Sequence, residues 1–476
     1  MNNTIVLYPA PGVGHLISMV ELGKLLLNRP RSRLSITIII PSFPSLTLHT
    51  TILSYLSSVS SSFPSITFIS LPPISLPSTH PDDETIIFQS LLSNNPNLLT
   101  TLQSISSTSH VCAFIVDFFC YTSLDVSCSL SIPTYFYFTS SAYVLSLFLN
   151  FPTFDEIVKD SSFRELGNMS FEIPTLMSVP SSQMMEPMLD RGASYDEFVK
   201  LGARFSNSNG IIINTFDSLE CRAIKALNEG SCVLGSTNVP TIYCVGPLIA
   251  NQGDKDGEKH ECLSWLDLQP SKSVVYLGFG SKGLFSKEQL SEIAFGLERS
   301  GVRFLWVVRD PPSEVKGSTG VEPLAELDLG SILPKGFLER TKDRGLVVKS
   351  WAPQIAVLAH DSVGGFVTHC GWNSTLEAVC AGVPMIGWPL YAGQRFNRIV
   401  LVQEIGIALP MNESEDRFVC SDEVEKRVKQ ILDPEEGDGV RKRVLELRDE
   451  AKIVFNEEGS SEIALTKLVD SWILKH

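Results

Sequence analysis

A histidine and an aspartate far apart in the chain are the first residues whose types could do chemistry. His15 closes the turn Pro9-Ala10-Pro11-Gly12-Val13-Gly14, and Asp117 ends the apolar run that begins at Val111. A His–carboxylate pair is the design of a general base: the carboxylate fixes the tautomer and the imidazole takes the proton. Taken singly, each residue reads as a satisfied polar group at a strand end. Two later stretches could hold a phosphate. Gly278-Phe279-Gly280-Ser281-Lys282-Gly283 lies between an apolar run and a helix starting near Ser286, and its glycines let backbone N–H groups approach an anion. His369-Cys370-Gly371-Trp372-Asn373-Ser374-Thr375-Leu376-Glu377 ends a run and opens a helix that stops at Gly382, with Pro384 beyond. A helix N-terminus suits a diphosphate. The same stretch reads locally as a Ser374-x-x-Glu377 capping box, and on local sequence alone capping is the preferred role of Glu377. His369 alone reads as a buried, hydrogen-bonded histidine.

These residues need elements to position them. Short β-branched runs alternate with helical patterns in both halves, which predicts parallel α/β sheets. Strands are expected over residues 4–9, 34–41, 65–71, 111–117, 134–139 and 210–215, then 273–278, 303–308, 345–349, 363–368 and 383–387. The Ser/Thr/Pro-rich stretches 54–62 and 71–80 read as loops. With a doubly wound strand order 3-2-1-4-5 in the first half, strands one and four are neighbours, and His15 and Asp117 fall in one crevice.

The 476 residues exceed one ordinary core, so two domains are expected. Most of the charged side chains lie after Gly246, which marks the halves as different modules. The Pro/Gly-rich, mixed-charge stretch beginning there reads as a linker. The boundaries are residues 1–246, a linker 247–260, a second domain 261–455, and a C-terminal helix 456–476 returning to the first domain. A net charge of −15 argues against nucleic acid as a partner. Ten cysteines without a Cys-x-x-Cys pair read as reduced, buried or half-buried thiols of a cytosolic protein. The N-terminus lacks a signal-peptide pattern, and no apolar stretch is long enough to span a bilayer.

The stretch from Trp351-Ala352-Pro353-Gln354 through His369-Cys370-Gly371-Trp372-Asn373-Ser374, Glu377 and Gln394 resembles the 44-residue donor signature of plant secondary-product (family 1) UDP-glycosyltransferases. Gly14-His15, Val116-Asp117-Phe118-Phe119, Asn214-Thr215-Phe216, Val245-Gly246-Pro247 and Phe279-Gly280-Ser281 extend the similarity over nearly the whole chain. The opening Ile5-Val6-Leu7-Tyr8-Pro9 and the Phe304–Arg309 block look most like members acting on flavonoids and related phenols. The resemblance implies a GT-B fold: two Rossmann-like, doubly wound parallel-sheet domains facing across a cleft, the second for the UDP-sugar and the first for the acceptor. It implies that Trp351 stacks on uracil, with Ala352 and Gln354 beside the base. His369, Asn373, Ser374 and Ser281 would contact the diphosphate, and Glu377 the ribose hydroxyls. Trp372 and Gln394 would lie against the sugar, with Thr139 at its 6-hydroxyl. His15, assisted by Asp117, would deprotonate an acceptor hydroxyl that attacks the anomeric carbon with inversion. No metal or other cofactor is expected, the UDP-sugar being a co-substrate. Asp254-Lys255-Asp256 in the linker reads as solvated charge. The protein is expected to act as a monomer.

One position departs from the pattern. Gly393 stands where the family carries Asp or Glu, whose carboxylate holds the sugar's 3- and 4-hydroxyls. Gln394 points to glucose; Gly393 opens two alternatives, a non-glucose UDP-sugar or a UDP-sugar-binding protein with weak or lost activity. The acceptor side is assigned to Phe118, Phe119 and Tyr391, with the aromatic and Met-rich stretches 138–151 and 174–189 around them. Those stretches fit an apolar aromatic acceptor and equally an ordinary core. A nicotinamide dehydrogenase is disfavoured, because the first turn lacks a full G-x-G-x-x-G.

Overall fold

The computed structural model describes all residues except 1, 30–33, 44–49, 77–81, 168, 236–238, 251–259, 312–327 and 474–476. The chain divides into two compact units, Met1–Ala250 with Ile453–His476, and Asn251–Lys452.

Unit 1 is built on a seven-stranded parallel sheet of order β3-β2-β1-β4-β5-β8-β9. Its strands are β1 (Asn2–Tyr8), β2 (Leu34–Ile40), β3 (Ile66–Ser70), β4 (Ser109–Asp117), β5 (Thr134–Phe138), β8 (Gly210–Ile213) and β9 (Ile242–Cys244). β4 is buried over its last seven residues and β5 over all five. Such runs are continuously apolar because helices cover both faces. β1 pairs with β2 on one side and β4 on the other, so the order reverses between β1 and β4. A separate antiparallel hairpin joins β6 (Ser170–Ile173) to β7 (Met177–Pro180), turning at Thr175 with φ +63°. The helix Ser460–Ile473 lays Leu465, Leu468, Val469 and Trp472 into the core of this unit.

Unit 2 carries a six-stranded parallel sheet of order β12-β11-β10-β13-β14-β15. The strands are β10 (Val274–Gly278), β11 (Arg303–Val308), β12 (Gly345–Lys349), β13 (Val363–Thr368), β14 (Met385–Gly387) and β15 (Ala408–Pro410). Here the order reverses between β10 and β13. Val275, Leu277, Trp306, Val367 and Trp388 form the centre of its core. The two doubly wound sheets agree with the expected fold class.

Three features depart from the sequence reading. Residues 54–62, expected as loop, belong to a helix, Thr50–Ser62. Serine is a modest helix former, but Leu56 and Val59 sit at helical spacing and are buried, and that burial outweighs propensity. The β6–β7 hairpin, β9 and β15 were not anticipated; each strand is only three or four residues long, too short for a periodic signal. Cys128, Cys221 and Cys420 are exposed rather than buried or half-buried. The Asp254-Lys255-Asp256 stretch and most of the expected linker lie outside the described residues. Among the described residues no helix is long and apolar enough to cross a membrane.

Candidate active site

In unit 1, His15 is the third residue of the helix Val13–Leu27 that follows β1, and Asp117 is the last residue of the neighbouring β4. The strand order therefore brings both to the point where the sheet reverses direction. Nδ1 of His15 lies 2.7 Å from Oδ2 of Asp117. Asp117 is fully buried, whereas the His15 side chain keeps 28% exposure. The other carboxylate oxygen, Oδ1, accepts from the Phe119 N–H at 3.1 Å, which fixes the carboxylate plane. Thr139, just beyond β5, places Oγ1 3.4 Å from the same Nδ1.

The rings of Phe118 and Phe119 stand 6.2 and 5.7 Å from the imidazole. Phe119 is half-buried; Phe118 is packed against Phe138 and Phe148. Much of the stretch considered for the acceptor is core: Phe148, Phe151, Met184 and Met188 are buried almost completely. Of the two readings left open, the ordinary core holds for these four.

In unit 2 the loops after β10, β11, β12, β13 and β14 all leave the carboxyl edge of one parallel sheet, where such sheets bind ligands. His369 follows β13 and is buried between two glycines. A Cβ on Gly280 would come 2.6 Å from its Nε2, and one on Gly371 2.4 Å. Those glycines are needed for the ring to fit. Burial, and then the Arg309 guanidinium, lower the His369 pKa to about 4, so the ring is neutral at ordinary pH. Its Nδ1 and the Oδ1 of Asn373 are buried without a hydrogen-bond partner. Three non-glycine residues with left-handed backbone lie in these loops: Ser350 (φ +63°), Cys370 (φ +65°) and Ala392 (φ +53°). Strain of this kind concentrates at ligand sites.

The helix Trp372–Ala381 is capped by Gly371, without a side-chain cap bond. Ser374 is its third residue, so the capping-box reading of Ser374 and Glu377 is incorrect. The Gln354 amide instead donates to Ser374 Oγ at 2.8 Å and to Glu377 Oε2 at 2.6 Å. Gln354 is itself oriented by the Tyr276 hydroxyl, 3.3 Å from its Oε1. The sequence reading missed Tyr276. Its only signal is a polar tip on an otherwise apolar buried strand. Burial pushes the Glu377 pKa up to about 7 against the opposing Gln354 hydrogen bond.

Trp351 is 54% exposed, an unusual state for an indole, with its edge contact to His260 at 5.7 Å. Ala352 beside it is buried. Ser281 is exposed in the β10 loop. Trp372, the first residue of that helix, is 4% exposed. Gln394 Oε1 accepts from the N–H groups of Leu390 and Tyr391 at 2.8 and 3.0 Å, pinning the loop that carries Gly393. Tyr391 lies 6.2 Å from His369, ring to ring, and burial raises its hydroxyl pKa. Among the described residues no cluster of three or more His, Cys, Asp or Glu side chains could hold a metal ion.

Residues 239–443 match the family described as UDP-glucoronosyl and UDP-glucosyl transferase. The chain is 47% identical over 492 residues to UDP-glycosyltransferase 13 of Pueraria montana var. lobata, covering 99% of this chain and 100% of that protein. It is 47% identical over 480 residues to anthocyanidin 5,3-O-glucosyltransferase of a Rosa hybrid cultivar, with 99% of both covered. The solved structure of Phytolacca americana UGT2 complexed with UDP-2-fluoro-glucose and pterostilbene matches with a TM-score of 0.86 at 38% identity, over 99% of this chain and 100% of that one. Two doubly wound sheets, the glycine-cradled His369 and similarity over the full length agree: this chain is a plant UDP-glycosyltransferase of family 1.

Proposed function

We propose that the protein transfers glucose from UDP-glucose to a hydroxyl of a small phenolic acceptor such as a flavonoid, inverting the anomeric carbon without a metal. The observation that carries the mechanism is the 2.7 Å contact between His15 Nδ1 and the buried Asp117. With Nδ1–H donated to the carboxylate, Nε2 becomes the ring's basic nitrogen and takes the acceptor's proton as its oxygen attacks C1. Asp117 offsets the charge of the imidazolium that results. In unit 2, Trp351 is the stacking surface for uracil, with Ala352 and Gln354 at the base edge, and Glu377 accepts from the ribose hydroxyls. The diphosphate meets Ser281, His369, Asn373, Ser374 and the start of the Trp372–Ala381 helix, so charge on departing UDP is offset by fixed dipoles. Gln394 and Trp372 lie against the sugar, with Thr139 at its 6-hydroxyl; Phe118, Phe119 and Tyr391 contribute to the acceptor side. The flavonoid and stilbenoid names of the relatives above support the acceptor class.

The test is UDP release and product mass with UDP-glucose and a panel of phenols, in the presence of EDTA. His15→Ala is expected to lower kcat by about 10²–10⁴ while leaving UDP binding intact. An unchanged kcat, or loss of activity with EDTA alone, overturns the mechanism.

A second donor is favoured by one observation. Gly393 has φ −84° and ψ 7°, a backbone any residue adopts, so glycine is not required there by conformation. A carboxylate-free sugar subsite loses a charge-assisted hydrogen bond of roughly 1.5–3 kcal/mol. If a UDP-pentose outcompetes UDP-glucose, and Gly393→Glu reverses the preference, the donor is not glucose.

A further inference from the structure

Arg309 follows the last residue of β11, one strand from β10 on the carboxyl edge of the unit 2 sheet. Its guanidinium Nη1 donates to the main-chain carbonyl of Ser281 in the β10 loop. The charge is near enough to His369 to help hold that imidazole neutral, and it also acts on Tyr276 and Tyr391. One guanidinium thus bonds to the β10 loop and exerts its charge on side chains of the β13 and β14 loops.

Arg309 differs from Arg395, Arg398 and Arg427 of the same unit. Arg395 and Arg398 both meet Glu413, at 2.9 and 3.5 Å, and Arg427 meets Glu423 at 2.6 Å. Arg309 is half-buried with no carboxylate partner among the described residues, and burial lowers its pKa. Removing a guanidinium from water without a counter-charge is unfavourable, and such a group gains most from an incoming anion. The Ser281 carbonyl takes one of its five N–H donors, and no other hydrogen bond from it reaches a described residue. The orphaned Nδ1 of His369, on which the Arg309 charge acts, follows β13, and the orphaned Oδ1 of Asn373 belongs to the second residue of the helix Trp372–Ala381.

We propose that Arg309 binds the nucleotide's diphosphate directly, as a guanidinium anchored at one end on the Ser281 carbonyl and meeting a phosphate oxygen with its remaining N–H groups. This rests on the reading of unit 2 as the UDP-sugar site. The residue then has two effects. It sets the position of the Ser281 loop, and it supplies a full positive charge where the leaving UDP gains negative charge. Neutral dipoles and an uncharged His369 would otherwise carry that load.

The test compares UDP with uridine, which lacks both phosphates, by displacement titration on the full-length protein. For Arg309→Met the expected result is UDP binding weakened about 10- to 100-fold and uridine binding changed less than about twofold, with a shallower salt dependence for UDP. Arg309→Lys, which keeps the charge without the fork, should recover part of the UDP affinity. Equal losses for UDP and uridine would assign Arg309 a purely structural role and overturn the proposal, as would an unchanged UDP affinity. If the wild type binds neither ligand and Trp351→Ala alters nothing, the donor-site reading fails and this proposal falls with it.

Discussion

Glu377 shows how one carboxyl can be misjudged from its neighbours and read correctly from its chemistry. Locally it completes a capping pattern with Ser374, yet the helix begins at Trp372, two residues before Ser374, and both side chains are held by Gln354. Helix boundaries shift by a residue or two in any sequence reading, and a cap is defined by that boundary. The titration of this residue gives a test. In the free protein its pKa is about 7 because burial disfavours the charge. Ribose hydroxyls donate hydrogen bonds, so they favour the ionised form and bind it more tightly. UDP affinity should therefore rise with pH and level off above about 7, falling by up to tenfold for each unit below. Glu377→Gln should weaken binding and flatten that rise. His369 is neutral from pH 5 to 8 in the free protein and contributes no opposing trend there unless the diphosphate protonates it. Titration calorimetry at pH 6, 7 and 8 decides the matter; wild-type affinity that falls with pH would remove Glu377 from the ribose.

At the scale of elements, what was legible was what repeats. The long β-branched runs located the sheet strands on which the site stands, and strand order then brought His15 to Asp117 across 102 positions. Glu220 was not legible, since nothing in its local sequence marks it. It lies after β8 and is buried, where it accepts from the Ala142 and Tyr143 N–H groups at 3.0 and 3.2 Å and from Thr215 Oγ1 at 2.6 Å. It thereby anchors the start of the helix Ala142–Val158, three residues after Thr139. The favourable end of that helix's dipole and these donors offset the burial that raises its pKa to about 7. Glu220→Gln turns an amide N–H₂ toward existing donors and leaves one of them unsatisfied. The expected cost is about 1–3 kcal/mol, seen as a lower denaturation midpoint. If Thr139 positions the sugar or His15, kcat should fall as well. A variant as stable as the wild type would show that the helix start does not depend on this carboxylate.

For the whole molecule, the long-range question is why a chain that enters unit 2 after Ala250 comes back. Unit 1 ends its contiguous run with β9 at the sheet edge, and the helix Ser460–Ile473 packs there. Trp472 meets Tyr135 at 5.8 Å, Ser471 Oγ lies 3.0 Å from the Tyr135 hydroxyl, and Ser461 donates to the Gly246 carbonyl at 2.5 Å. Leu465, Leu468, Val469 and Trp472 are all buried in the unit 1 core. At roughly 1.5–3 kcal/mol for each fully buried large apolar side chain, the helix contributes about as much as the total stability of an ordinary domain. A protein ending at residue 455 should therefore fail to fold unit 1, however complete its sheet. Trp472→Ala is the milder test, with an expected loss of about 3–5 kcal/mol. Hydrogen exchange should then rise in β4, β5 and β9 while β10, β11 and β13 keep wild-type protection. Uniform acceleration across both units would mean that they unfold as one cooperative body, so that the returning helix stabilises the entire chain rather than the first unit alone.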